Sequence, residues 1–213
     1  MRRLYIAAIG LSLIVIFCLA LSYAGPKGDE PIKESGSIMT RTPLCKLPSL
    51  AKITWMDAMN TALKKTPGGI LEVELEDEDG YLVFSVEVVT ADKKIMEYCI
   101  DAGNGEILCS EEEECKCKED EEKSEMKAGS IKVSSCKLDY PSMAKIKPED
   151  AVKTAANAVD GKFLSLALEG DDGILVYEVT FTHTCKSVME VEIDAGTGKI
   201  LEMEEEKCCK KED

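Results

Sequence analysis

The sequence predicts an α+β protein with two similar small units, each with one helix packed on a three-stranded antiparallel sheet. Two observations carry this prediction. An internal repeat aligns residues 53–108 with residues 146–201 at a constant offset of 93, and about 24 of the 56 aligned pairs are identical. In each copy, a helical spacing of apolar residues is followed by three segments in which apolar and polar residues alternate.

Each unit begins with a helix. In the first copy, Thr54 and Asp57 form an acidic variant of the capping box, and in the second copy Pro148 fits the first helical turn. Glycine-containing segments end the helices at residues 67–69 and 160–161. The apolar residues of both helices have the spacing of one buried face: Ala58, Met59, Ala62 and Leu63, repeated by Ala151, Val152, Ala155 and Val159.

Three strands follow each helix, because the apolar residues there recur with a period of two. This alternation gives each strand one buried face, which the helix covers, and one wet face. Each unit has fewer than 60 residues, so we expect packing between the two sheets, or disulfides, to add to its stability. The first inward residues are Leu71, Val73 and Leu75 in one copy and Leu164, Leu166 and Leu168 in the other.

A turn with the sequence Asp-Ala-Gly-x-Gly ends the third strand of each unit. Aspartate side chains often bond the backbone two residues on, and glycine permits positive φ. We predict a structural turn before a short final strand at residues 107–108 and 200–201. A calcium site is the alternative, but the motif offers few oxygen ligands for one. The predicted turn residues are Asp101, Gly103, Gly105, Asp194, Gly196 and Gly198.

The first 24 residues have the layout of a secretory signal peptide. Arg2 and Arg3 precede an apolar run over residues 4–21, and small residues at Ser22 and Ala24 precede a possible cleavage site. The run is long for a signal peptide, so a retained membrane anchor is the alternative. In both cases the N-terminus engages the membrane at least during export. The rest of the chain is then periplasmic, extracellular or anchored to the outer face of the cytoplasmic membrane.

Charge separates the repeats from the segments around them. Residues 111–125 carry nine acidic side chains against three lysines, which is typical of a solvated, mobile linker, although capture of cations or of a basic partner is an alternative. The predicted organisation is a signal peptide or anchor (1–24), a spacer (25–51), repeat 1 (52–109), an acidic cysteine-bearing linker (110–144), repeat 2 (145–203) and an acidic cysteine-bearing tail (204–213).

Composition excludes several classes of function. The net charge of −15 argues against nucleic acid as a partner, because binding to phosphates needs a basic face. A single histidine excludes the usual zinc enzymes, whose metal is held by several histidines.

Ten cysteines favour an oxidising compartment or the binding of a soft metal. Most lie outside the repeats, and those inside are not shared by the two copies, so the fold does not require them. Disulfides that attach the linker to the units are the simpler interpretation. The alternative is a thiolate site for Cu(I) or Zn(II), although the usual Cys-x-x-Cys spacing is absent. The candidate ligands are Cys115, Cys117, Cys185, Cys208, Cys209 and His183.

The repeats resemble the PepSY domain. The resemblance lies in Ile-x-x-x-Asp-Ala at the helix start, the glycine after the helix, the segments 80–88 and 173–179, and the endings 101–108 and 194–201. It covers residues 52–109 and 145–203 and includes neither the linker nor the tail. It implies a non-catalytic module of exported bacterial proteins that restrains or regulates peptidases, and it supplies no catalytic residue.

The function predicted from the sequence is therefore that of an exported, non-catalytic PepSY-type binding module. It would regulate or inhibit a peptidase or another envelope protein through its sheet faces, edges and turns. The alternative is an envelope protein that binds a metal through cysteines and carboxylates. No cofactor is expected apart from such a metal.

Overall fold

The computed structural model describes residues 36–113, 115, 129–133, 136–184 and 186–207. All of them belong to one compact unit. The strands are β1 (Gly68–Glu78), β2 (Tyr81–Thr90), β3 (Ile95–Asp101), β4 (Ile107–Glu113), β5 (Lys162–Asp171), β6 (Ile174–Thr184), β7 (Ser187–Asp194) and β8 (Ile200–Lys207). The helices are α1 (Leu47–Leu50), α2 (Trp55–Lys65), α3 (Tyr140–Met143) and α4 (Pro148–Ala156).

The eight strands form one antiparallel sheet in the order β4-β3-β2-β1-β5-β6-β7-β8. The α+β class is as predicted, but the two separate three-stranded sheets are not. Each repeat contributes four strands, because the chain after the Asp-Ala-Gly-x-Gly turn continues to Glu113 or Lys207 and pairs with β3 or β7. The repeats join edge to edge through β1 and β5, where Val73 lies opposite Leu166.

The two longer helices begin as the sequence predicts. Thr54 and Asp57 form the reciprocal capping box at the start of α2, in which each side chain bonds the other residue's backbone N–H. Pro148 occupies the first turn of α4. Each helix buries its predicted apolar side against the strands of its own repeat, including Ala58 and Ala62 of α2.

Two shorter helical turns lie in segments that the sequence analysis assigned to the spacer and the linker. A 3₁₀ turn at Leu44–Lys46 leads into α1, and a second one at Lys137–Asp139 leads into α3. These turns are related by the same offset of 93 as the repeats. Each repeat is therefore longer than the region over which we aligned the sequence.

The short helices pack across the junction between the repeats. α1 of repeat 1 contacts β5 as well as β1, and α3 of repeat 2 contacts β1 as well as β5. As a result, Tyr140 shares a continuous buried core with Leu71 of repeat 1, and Leu47 shares one with Leu164 of repeat 2. Each hydrophobic core is completed by residues of both repeats.

β-Bulges explain why the two leucines join the opposite core. Leu71 is the extra residue in β1, between Ile70 and Glu72, and Leu164 is its equivalent in β5. A bulge interrupts the simple alternation of side chains along a strand. Leu71 therefore lies in a different cluster from Val73, although the sequence pattern places both on one face.

No helix among the described residues is long and apolar enough to cross a membrane. The predicted signal peptide or anchor at residues 1–24 lies outside the described residues.

Candidate functional site

One face of the sheet carries the two longer helices, α2 and α4, and the other is lined with carboxylates. In β1, Val73 and Leu75 pack in the core with α2, so the alternating glutamates point to the opposite side. Repeat 1 contributes Glu72, Glu74, Glu76, Glu78, Glu87, Glu97, Glu111 and Glu113. Repeat 2 contributes Glu169, Asp171, Glu178, Glu190, Glu192, Glu202, Glu204 and Glu206. We call these sixteen side chains the carboxylate face.

Glutamates lie directly opposite one another on neighbouring strands of this face. One row crosses all eight strands and contains, in order, Glu111, Glu97, Glu87, Glu72, Ala167, Glu178, Glu192 and Glu202. Like charges at directly opposed positions destabilise a sheet. The face therefore works against the stability of the fold on which it lies, which suggests that its charge has a role other than folding.

Partial burial and mutual repulsion raise the pKa values of several of these carboxyls. Burial, followed by the charges of Glu87 and Glu74, raises the pKa of Glu72 to about 8. Burial and the neighbouring Glu178 raise the pKa of Glu169 to about 8. For the same two kinds of reason, the pKa values of Glu76 and Glu190 rise to about 7. Part of the face is thus protonated at neutral pH.

Lys137 places an ammonium group on the carboxylate face. Its Nζ donates a hydrogen bond to Glu87 Oε2 at 3.2 Å and lies 3.9 Å from Glu113 Oε2. The lysine comes from the turn before α3, so repeat 2 supplies a cation to the half of the face that repeat 1 builds. The equivalent position in repeat 1 is Leu44, which has no charge to offer.

The predicted turn aspartates are buried anchors for a segment at the start of each repeat. Asp101 accepts hydrogen bonds from the backbone N–H and hydroxyl of Ser37 and from the N–H of Gly103. Asp194 accepts the equivalent bonds from Ser130 and Gly196, and others from Thr197.

The pKa values of both aspartates reflect this bonding. Burial by itself raises the pKa of Asp194, but the hydrogen bonds from Ser130 and Thr197 outweigh it and hold the pKa at about 2. The pKa of Asp101 is lowered in the same way. The hydrogen bonds that both aspartates accept come from the protein's own backbone and hydroxyl groups.

The glycines of the turn have two different roles. Gly105 and Gly198 adopt positive φ, at 80° and 72°. Gly103 and Gly196 instead allow a close approach, because a Cβ at either position would collide with the hydroxyl of Ser37 or Ser130. The sequence analysis missed the two serines. Gly-Ser-Ile occurs at residues 36–38 and 129–131, at the offset of the repeat, and this was the signal that could have revealed them.

The structure describes five of the ten cysteines, which are Cys45, Cys99, Cys109, Cys115 and Cys136. Cys99 and Cys109 form a disulfide between β3 and β4, within repeat 1 and not between a repeat and the linker. Cys136 also takes part in a disulfide. Cys115 packs beside the core of repeat 2.

The candidate metal ligands are therefore not brought together in the part of the chain that can be described. His183 is exposed at the end of β6, and Cys115 lies elsewhere, beside the core. In the described ranges, no group of three or more histidine, cysteine, aspartate or glutamate side chains is arranged to hold a metal ion. The other four candidates lie outside those ranges: Cys117, Cys185, Cys208 and Cys209.

Comparison with known families agrees with this architecture. The family model for PepSY, described as the peptidase propeptide and YPEB domain, matches residues 52–111 and again residues 145–204. Together these two matches cover more than half of the chain. The chain belongs to the PepSY family. The tandem arrangement predicted from the sequence is thus confirmed, and each match extends into the fourth strand of its repeat.

Other comparisons add little to the PepSY assignment. A crystal structure from Clostridium difficile 630, described provisionally as a lipoprotein, is 21% identical and covers 73% of this chain and 95% of its own, with a TM-score of 0.42. Among curated proteins, none is significantly similar to the chain. Membership of the PepSY family indicates a non-catalytic module and is consistent with an exported or envelope-associated protein.

Proposed function

We propose that this PepSY protein is an exported, non-catalytic binding module that restrains a peptidase or another protein of the cell envelope. The observation that carries the proposal is the carboxylate face. An eight-stranded sheet whose two longer helices lie on one side leaves a broad charged surface on the other side for a partner. Its repulsion costs stability, so a role in recognition gives a physical reason for keeping it.

The family supports the class of partner. Both repeats match a domain described as a peptidase propeptide, and propeptides act by contact with the enzyme. Inhibition would be steric, because a folded sheet seated on a peptidase keeps substrate out of the groove that it covers.

The experiment is an inhibition assay with purified components. The full chain is titrated into exported peptidases from its own cell envelope, and the rate of peptide hydrolysis and the stoichiometry of any complex are measured. We expect a saturable fall in rate with one of them and co-elution of the complex. An unrelated folded protein of similar negative charge is the matched control. If no peptidase responds to the chain more than to this control, the peptidase part of the proposal is wrong.

A further inference from the structure

The first strand of repeat 1 presents four glutamates at alternate positions. Glu72, Glu74, Glu76 and Glu78 all point to the carboxylate face, and β1 lies beside the middle of the sheet. Alternate residues of a strand are about 7 Å apart along its axis. The spacing of these carboxyl groups therefore matches the spacing of alternate side chains in another extended chain.

The charges around this row differ from one end to the other. Near Glu72, the ammonium of Lys137 offsets part of the repulsion. The charged groups that act on Glu76 are all acidic: Glu74, Glu78, Glu97 and Asp77. The half-buried Glu76 is thus surrounded by acidic groups, without a cation near it in the described part of the chain, and a cation brought there from outside would relieve their repulsion and favour the ionised carboxylate.

Lys137 shows how the face receives a cation. Its side chain comes down from a segment lying over the sheet and places Nζ between Glu87 and Glu113, at 3.2 Å and 3.9 Å. The Lys137 ammonium thus occupies the kind of position that a basic side chain of a partner would take on this face. A lysine or arginine from a bound segment would make the same contacts further along the face.

We propose that the row Glu72, Glu74, Glu76 and Glu78 docks an extended polypeptide segment that carries lysine or arginine at alternate positions. The segment lies along β1 with its basic side chains directed to the face. This inference rests on the proposed function, because it names the chemistry of the partner segment that the module recognises. Charge complementarity supplies both the attraction and the register.

The test uses the full chain and a fluorescent peptide in which lysine and threonine alternate, followed by fluorescence anisotropy at low and at physiological salt. Two comparison peptides are used. The first has the same composition with all its lysines in one block, and the second has glutamate in place of every lysine. We expect the alternating peptide to bind most tightly and the acidic peptide not to bind. Salt should weaken the binding, because these charges are near the surface.

The variant Glu74→Gln/Glu76→Gln/Glu78→Gln locates the site. Each exposed ion pair changes an affinity by up to about fivefold, so the three changes should weaken binding on the order of tenfold. The matched control removes three exposed charges away from the face, with Asp160→Asn, Glu106→Gln and Glu205→Gln, and should change the affinity less than about twofold by the same reasoning. The glutamine substitutions preserve volume and remove repulsion, so the fold should persist.

Three outcomes would overturn the inference. They are an absence of salt-sensitive binding of the alternating peptide, an equal loss of binding in the two triple variants, and equally tight binding of the peptide whose lysines stand in one block. If any of these occurs while a peptidase is still inhibited, the partner uses another surface and only this inference fails. If the peptide binds as expected and no peptidase responds, the docking row stands and the peptidase proposal fails.

Discussion

Val73 lies directly opposite Leu166 in the sheet, and the two residues occupy the same position in their repeats. Their neighbours follow the same rule, since Glu72 lies opposite Ala167 and Glu74 lies opposite Ser165. In the alignment of the repeats, Ser165 is the equivalent of Glu72 and Ala167 is the equivalent of Glu74, so the two pairs are related by symmetry. A local two-fold axis therefore passes through this pair, perpendicular to the sheet. Such an axis puts α2 and α4 on the same side and extends the carboxylate face across both repeats.

Because the short helices pack across the junction, we expect a substitution in one repeat to lower the stability of the other. Tyr140→Ala should destabilise the protein by about 3 kcal/mol, because it empties a buried position. Amide hydrogen exchange should then accelerate in β1, where Tyr140 packs near Leu71. The matched control is Leu201→Ala, at an exposed position, which should leave both measurements nearly unchanged. Faster hydrogen exchange confined to repeat 2 would contradict the packing of α3 across the junction.

The serine–aspartate anchors predict a strong coupling between residues 64 positions apart. Asp194→Asn should lower the free energy of unfolding by about 2 kcal/mol, because hydrogen bonds to a buried charge are lost. Ser130→Ala should cost less on its own, and a double-mutant cycle in urea should show that the two effects are not additive. Asp160→Asn is the control at an exposed aspartate. Strict additivity would mean that the hydrogen bonds between Ser130 and Asp194 contribute nothing to stability.

The disulfide predicts a local difference between the two edge strands. Cys99 and Cys109 tie β4 to β3, whereas the equivalent positions in repeat 2 are Glu192 and Glu202. Replacing both cysteines by serine should destabilise the protein by about 2–3 kcal/mol, in line with a short closed loop. Hydrogen exchange should increase in β4 and not in β8, which serves as the internal control. An equal response of both edges would show that the bridge does not hold β4.

The carboxyl pKa values predict maximum stability in mildly acid solution. Glu72 and Glu169 have pKa values raised from 4.5 to about 8, so the folded state holds protons that the unfolded state releases. Their contribution is complete below about pH 4.5 and is lost as the pH rises to about 8. Asp101 and Asp194 have lowered pKa values, and the contribution of Asp194 is lost as the pH falls from 3.8 towards 2.

Urea unfolding between pH 2 and pH 9 tests this profile. We expect a maximum near pH 4–5 and a steady decline above it. The double variant Glu72→Gln/Glu169→Gln should flatten the decline without moving the acid limb, and Asp194→Asn should do the reverse. Stability that rises from pH 5 to pH 8 in the unmodified chain would show that the buried glutamates are not protonated in the fold.

The sequence was sufficient for the features that depend on local pattern. The helix starts at Thr54 and Pro148 follow from capping chemistry, and the strands follow from alternation. The turn at Asp101 was predicted with the hydrogen bond to the backbone two residues on, and this bond is present to Gly103.

The parts that were missed depend on contacts distant in sequence. Pairing between β1 and β5 uses backbone groups, which carry no side-chain signature. A bulge at Leu71 interrupts the alternation of β1, so this side chain joins a different core from Val73. The alternation of residues in the sequence does not reveal a bulge. The carboxylate face also required the structure, because only the strand order brings Glu72 and Glu169 close enough to interact.

Packing of the short helices across the junction also affects the rate of folding. Ser49 of α1 accepts a hydrogen bond from Lys162 Nζ across 113 residues of chain, so part of the surface on which α1 packs is synthesised long after α1 itself. Contacts of such long range slow folding, because the intervening loop must close before they form. Because the chain is synthesised from its N-terminus, the core of repeat 1 cannot be completed until repeat 2 has been made. The order of synthesis thus delays the native state to the end of the chain.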